Sequence, residues 1–435
     1  MAAGSLMLPA QRPASTYFSD DPVTGARCHS QRSETQELCP ELFESLQLSW
    51  SIQVDQDGWP EPFSDRGVGG TDGLDVYLST DADWGGYTNS SYTDADPNDG
   101  RFASESFIVI DPRISDIHLY MAHEFNHVLQ FAVDSTEPSF VPWEAAATLA
   151  EERTYPGEGS LGDVAPDFQR TPWESVFGDS SHLWIAFDIW SYYEYGSALW
   201  MEHLHQTWGV APVDFWWAMT NKSWSNETDV LEAYRAVTGS QDQGLLQFSL
   251  DRGRMGQGSE PEWMQAVDAP LRFQGTLETW DEAISSKKDI QDLGVGYFNV
   301  NVDDEFLLQV EADTNTRWRV IDLESGTNYG LEEPIRLQGP VSVAVVNLGP
   351  EDLDPDEHCS AFCAFEGRSM SLWIEKPIDV EDSGQLDDSG GLEDTGLEPE
   401  DPRAGACACA SSSKNSQLGG FGMSVLLGLF WRRRR

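Results

Sequence analysis

The stretch His123-Glu124-Phe125-Asn126-His127, with Trp143-Glu144-Ala145-Ala146-Ala147-Thr148-Leu149-Ala150-Glu151 after it, decides how this chain folds. Over residues 115–131 the apolar side chains Ile117, Tyr120, Met121, Val128 and Phe131 recur at helical spacing. His123 and His127 then share one helix face, about 6 Å apart along the axis, and both imidazoles reach one cation. Glu124, next to the first histidine, points beside that cation and is placed to act on water there. A lone histidine on a helix usually does no more than pack; the paired spacing with a glutamate between is what carries chemistry.

Zinc needs a third protein ligand and one open position. The next helix begins near Trp143, with Pro142 at its first turn, and sixteen residues separate His127 from Glu144. The pattern is that of the zincins, and at Glu144 the chain resembles the gluzincin metallopeptidases. The metzincin continuation fails, because Gln130 and Val133 stand where Gly and His are needed. The resemblance covers residues 70–210 and implies that Glu144 is the third metal ligand, Ala147 the small packing residue and Glu151 the later acid. The chain departs from that pattern in its shorter His127–Glu144 separation and in Thr148, where some members carry an acid; Glu151 and Glu152 are the fallback ligands. The family also implies a hydrogen-bond donor for the oxyanion. Tyr195, opening Tyr195-Gly196-Ser197-Ala198-Leu199-Trp200, is the candidate, with aromatic packing as its other reading. His118, His182, His203 and His205 are expected to be ordinary packing or surface residues.

Composition narrows the partners. The chain carries 74 acidic and 26 basic side chains, a net charge of −48, and only five of the basic residues are Lys. That charge repels phosphate backbones and anionic lipid, so no nucleic-acid partner is expected and a membrane is met only through the C-terminal tail. With 40% hydrophobic and 11% aromatic residues, most of the chain has enough apolar surface to fold.

The ends and the cysteines bear on compartment. Cys28/Cys39 and Cys359/Cys363 are spaced to close small disulfide loops, which implies an oxidising exterior. A metal site at His358, Cys359 and Cys363 lacks the second paired motif that structural zinc usually needs. Cys407-Ala408-Cys409, a Ser-rich spacer, the apolar run 418–431 and Arg432 to Arg435 follow in order. Fourteen residues rise only about 21 Å as a helix, a marginal span. The order resembles the myxobacterial-type C-terminal sorting signal, which implies processing of a surface protein near the cysteines. Residues 1–10 have Leu6, Met7 and Leu8 but neither a basic start nor a long apolar core, so they do not read as a signal peptide.

The expected fold class is α+β. The layout is an irregular segment 1–65 (a candidate export or pro region holding the Cys28–Cys39 loop and a short helix-like stretch at 41–49) and a zincin-like metallopeptidase unit 66–258. After it come a β-sandwich or jelly-roll 259–377, an acidic flexible stalk 378–404 and a sorting or anchor signal 405–435. Strands are expected at 74–78 and 106–110, and a Gly/Asn/Asp loop at 81–100. Within that loop Asp94-Ala95-Asp96-Pro97-Asn98-Asp99-Gly100 is similar to a calcium loop but fails the EF-hand spacing, so Ca2+ has no support beyond its acids. Residues 153–182 are read as loop, residues 183–208 and 228–252 as helical. Successive short strands are expected at 297–302, 306–312, 318–323, 335–337, 341–348 and 371–374. The stalk segment 379–402 holds ten acidic residues and no basic one.

The function these features imply is an exported, zinc-dependent peptidase at the bacterial cell surface. His123, His127 and Glu144 hold Zn2+, Glu124 is the general base toward metal-activated water, and the substrate is a peptide or protein. The alternative is a non-catalytic surface adhesin whose β-region recognises glycan or protein. Oligomeric state and peptide preference are not written in the sequence.

Overall fold

A computed structural model describes residues 11–98, 100–137, 139–178, 192–220, 230–267, 269–280, 282–353 and 365–377. The expectations for His182, the Cys359/Cys363 and Cys407/Cys409 pairs, the acidic stalk and the C-terminal tail lie outside them. Among the described residues no helix is long and apolar enough to cross a membrane. The protein mixes helices with several sheets, none closed into a barrel among the described residues.

The sheet that positions the site has five strands: β1 (Tyr17–Asp20), β2 (Arg27–Ser30), β3 (Asp75–Leu78), β4 (Gly86–Asp94) and β5 (Ser104–Ile110). Their spatial order is β1-β2-β3-β5-β4. The central three run parallel, and antiparallel β1 and β4 form the edges. Side chains alternate between faces. Val76, Leu78, Ile108 and Ile110 pack with the long helices, while Tyr77, Phe107 and Val109 pack with Ala82 and Tyr87 on the other side.

Residues 11–65 depart from the irregular expectation. The helix expected at 41–49 is present as α2 (Cys39–Trp50), which runs on into a π-helical turn, Ser51–Gln56; beyond that expectation the segment supplies β1, β2 and the short helix α1 (Ser33–Gln36). The Cys28–Cys39 disulfide forms and ties β2 to α2. From the π turn, Gln53 Nε2 donates to Ala122 O at 2.9 Å, and Asn126 Nδ2 donates to Gln53 Oε1 at 3.1 Å. This segment therefore braces the helix that carries the histidines.

That helix, α3 (Ile117–Val133), and its partner α4 (Phe140–Thr154) are buried over most of their surface. Ala145, Ala146, Ala147 and Ala150 keep α4 slim, so its backbone approaches its neighbours closely. Pro142 stands in the first turn, where no intrahelical N–H is needed. Two expected loops are not loops. β4 lies inside 81–100, and its helix-facing positions are Gly86, Thr88 and Ser90, too small and polar to show an apolar alternation. α5 (Leu161–Arg170) lies inside 153–182: Leu161, Val164, Ala165 and Phe168 are buried despite Pro166 within the helix.

Helices α6 (Tyr193–Gly196), α7 (Ala198–Trp208), α8 (Pro212–Met219), α9 (Val230–Thr238) and α10 (Gln241–Arg254) follow. Beyond them come β6 (Gly275–Leu277), β7 (Ile284–Ser285), β8 (Ile290–Gln291), β9 (Val295–Val300), β10 (Glu305–Ala312) and β11 (Trp318–Asp322). β12 (Asn328–Tyr329), β13 (Ile335–Gln338), β14 (Val341–Asn347), β15 (Gly367–Arg368) and β16 (Met370–Glu375) complete the run. Two sheets, β13-β10-β16-β7 and β12-β11-β14-β9-β6, share a core that includes Phe306, Leu308, Val320, Val343, Val345, Leu372 and Ile374. On β14 the intervening Ala344 and Val346 join the helical core instead. Tyr297 donates from its hydroxyl to Ser249 O of α10 at 2.7 Å. Both faces of that sheet are covered, which is why β14 is apolar almost throughout.

A buried ion network fastens the N-terminal arm to the sheet. Arg12 pairs with Asp65 at 2.8 Å and also with Asp75, whose other oxygen accepts from His29 Nε2 at 2.8 Å. Burial, reinforced by the charge of Asp75, pushes the Asp65 carboxyl up to about 6. The folded state therefore holds this proton where the unfolded chain, at the ordinary 3.8, has released it, so unfolding free energy falls as pH rises from 3.8 to about 6. Thermal unfolding across that window should show a shallower decline for Asp65→Asn than for the wild type.

Candidate metal centre

The structure brings His123, His127 and Glu144 together, with ligand atoms all within 4.8 Å of one another. His123 Nε2 lies 3.1 Å from His127 Nε2 and 3.1 Å from Glu144 Oε2; His127 Nε2 is 3.8 Å from Glu144 Oε1.

The far side of each ring fixes its tautomer. Gln130 Nε2 donates to Trp143 O at 3.0 Å, so its Oε1, 2.7 Å from His127 Nδ1, is the acceptor and Nδ1 carries the proton. His123 Nδ1 lies 2.6 Å from Glu151 Oε1 and donates to that carboxylate. Glu151 is itself held, its Oε2 accepting from Ser160 N at 3.1 Å and Ser160 Oγ at 2.6 Å. Both Nε2 atoms are thereby left with lone pairs, and they face a carboxylate. Glu144 is fully buried, and its Oε1 has no hydrogen-bond partner. An orphaned buried oxygen costs about 1–3 kcal/mol. With both rings neutral, three acceptors converge on one point with no donor among them, and a cation satisfies all three.

The protonation behaviour agrees. Burial opposes a charge on His123, but hydrogen bonds to Glu144 and Glu151 outweigh it and hold the pKa well above the ordinary imidazole value. Without a metal ion, a proton on His123 fills the deficit. Burial, aided by His123, lowers His127 to about 4, so at pH 7 it is neutral and able to serve as a ligand. Two nitrogens and one carboxylate oxygen suit zinc and other borderline divalent ions, and leave coordination positions open.

Glu124 sits where α3 crosses the edge strand. The Thr88 hydroxyl lies 2.9 Å from both the Glu124 carboxylate Oε2 and its backbone carbonyl. A methyl on Gly86 would come within 2.9 Å of Glu124 Oε1, so only glycine leaves that oxygen room. Burial is the main cause that raises Glu124 to about 7, against the charge of His123 and the Thr88 hydrogen bond. Tyr195 stacks on His123 with ring centroids 5.9 Å apart. Desolvation, then the charges of Glu144, Glu194 and Glu124, keep its phenol well above the ordinary value, so it stays a proton donor.

The remaining expectations divide. Glu151 stands behind His123 rather than among the converging donors, and Glu152 Oε1 accepts from Gly157 N at 2.7 Å, away from them. Among the described histidines outside the cluster, His118 packs edge-on against Tyr155 and His203 pairs with Asp251 at 3.1 Å, while His205 lines a surface pocket with Trp263. Sequence reasoning missed Gln130, Thr88, Gly86 and Ser160. Gln130 had a visible signal, being three residues after His127 on one helix face. The others act across strands and loops that the sequence does not bring together.

No protein-family model matches the chain, and no curated protein shows similarity to it. The metal-binding potential stands on the geometry. Replacing Glu151 by Gln should weaken zinc affinity about 10–100-fold in competition with a chromophoric chelator, because His123 loses the carboxylate that orients it. His123→Ala should abolish stoichiometric binding in the same titration.

Proposed function

We propose that the protein is a zinc-dependent peptidase of gluzincin type, exported and acting at the cell surface, with a zincin-like catalytic unit followed by a β-sandwich. The observation that carries the reading is the convergence of His123 Nε2, His127 Nε2 and Glu144 on one point beside the carboxylate of Glu124. A bound zinc ion supplies a Lewis acid for a carbonyl oxygen and acidifies water.

The chain's own residues do the rest. With its pKa near 7, Glu124 takes a proton as base and returns it as acid at neutral pH. Thr88 pins Oε2, which leaves Oε1, above Gly86, as the working oxygen. Tyr195, kept neutral, donates a hydrogen bond to a developing oxyanion. Among the described residues β4 has a strand neighbour on one side only, β5, so Gly86 and Thr88 at the start of its outer edge offer backbone groups to an extended peptide beside the site. That edge favours a peptide over a compact small molecule as substrate. The Cys28–Cys39 disulfide supports an oxidising exterior.

Glu124→Gln should keep its zinc while peptide hydrolysis falls roughly 10²–10⁴-fold or more. Cleavage by that variant at the wild-type level overturns the mechanism. Zinc-loaded wild type that cleaves no peptide points instead to a surface binding protein. Gly86→Ala should retain zinc and lower kcat, because the new methyl displaces Oε1; an unchanged kcat would place the base elsewhere.

A further inference from the structure

We propose that Trp84 is the platform that receives a bulky apolar side chain of the substrate, next to the scissile bond. This rests on the peptidase reading above and adds a specificity determinant to it.

The turn between β3 and β4 is built at a cost. Asp83 and Trp84 both take left-handed backbone conformations, with φ of 40° and 69°. Residues with a side chain adopt that region at roughly 1–3 kcal/mol each, and Gly or Asn would hold the same turn more cheaply. Here the chain places its largest side chain in that position, directly before Gly85 and Gly86.

The strain is held in place by identifiable bonds. Trp84 N–H donates to Asp111 Oδ2 at 2.6 Å, and Asp111 N–H donates to Gly85 O at 2.9 Å. Asp111 is fully buried and receives Arg113 Nε at 2.8 and 3.0 Å. The Arg113 guanidinium in turn lies over the indole, 4.2 Å from the ring centroid. One face of Trp84 is thus covered by a cation and its backbone is clamped, yet the residue stays 39% exposed. Most other described tryptophans are buried or half-buried in the protein.

Position supplies the function. Trp84 is two residues from Gly86, within about 7 Å along the chain, and Gly86 packs against the Glu124 carboxylate. A peptide laid along the β4 edge passes this turn. An indole already ordered by Asp111 and Arg113 loses little entropy on contact, so it rewards an apolar or aromatic side chain efficiently. The substrate class implied is a peptide with a large apolar residue beside the cleaved bond.

The test uses zinc-loaded full-length protein and paired peptides that differ only by Phe or Ala at each position flanking the cleaved bond. At the preferred position the wild-type ratio of kcat/KM for Phe over Ala should fall at least tenfold in Trp84→Ala. Trp84→Phe should restore most of that ratio. Trp84→Gly, which relaxes the left-handed backbone, should lose the preference as Trp84→Ala does, and guards against a folding defect. Binding of the same peptides to Glu124→Gln protein, with and without Trp84→Ala, reads the platform independently of hydrolysis. Absent cleavage with a Trp84-dependent Phe preference in binding overturns the peptidase reading and upholds the platform. A Phe/Ala ratio unmoved by Trp84→Ala in both assays, or no binding of either peptide, overturns the platform.

Discussion

The structure is organised around one electrostatic requirement: two imidazole nitrogens and a buried carboxylate point at the same place, where a single positive charge, a proton on His123 or a cation, has to sit among them. Such a cluster is unfavourable alone, since acceptors repel and a buried anion demands a partner. It persists because every member is fixed from behind. Gln130 holds one ring, Glu151 and Ser160 the other, and Ala-rich α4 brings Glu144 close enough to complete the set. A cation bound there would regain the free energy lost in assembling the acceptors, which would link metal affinity to folding stability.

The sheet and the N-terminal segment serve this requirement at one remove. α3 lies on the face formed by Val76, Leu78, Ile108 and Ile110, and its other contacts include Gln53 from the π turn. The Cys28–Cys39 disulfide and the Arg12–Asp65–Asp75 network anchor this early part of the chain in the same body. The small residues of β4 let Glu124 lie against the strand instead of being pushed toward His123, His127 and Glu144.

What was legible in the sequence follows from where each signal originates. α3 announced itself because its apolar spacing and its paired histidines are local to one helix. The later strands were readable because β10, β11, β14 and β16 alternate or run apolar over several residues. β4 was hidden, since its buried face meets a carboxylate and must be small and polar. α5 was masked by Pro166, which a buried face of Leu161, Val164 and Phe168 overrides. Glu151 was visible as an acid on the right helix, but whether it binds metal or supports a ligand depends on which imidazole nitrogen it reaches. That choice is set by packing between α3 and α4, which no linear spacing encodes.

The register of β4 against β5 is regular only from Gly86 to Ser90, and then shifts before Asp94 meets Ser104. Beyond Ser90 the edge no longer keeps a uniform spacing of amide and carbonyl groups, so it acts as a short ruler. On the proposed peptidase reading, an extended chain laid there gains backbone bonds only beside Gly86 and Thr88, because alternate residues of a strand turn both groups outward and Ser90 N–H is already held by Asn89 Oδ1. On that reading recognition by backbone is brief, and discrimination among chains would fall to the side chains at the start of that ruler.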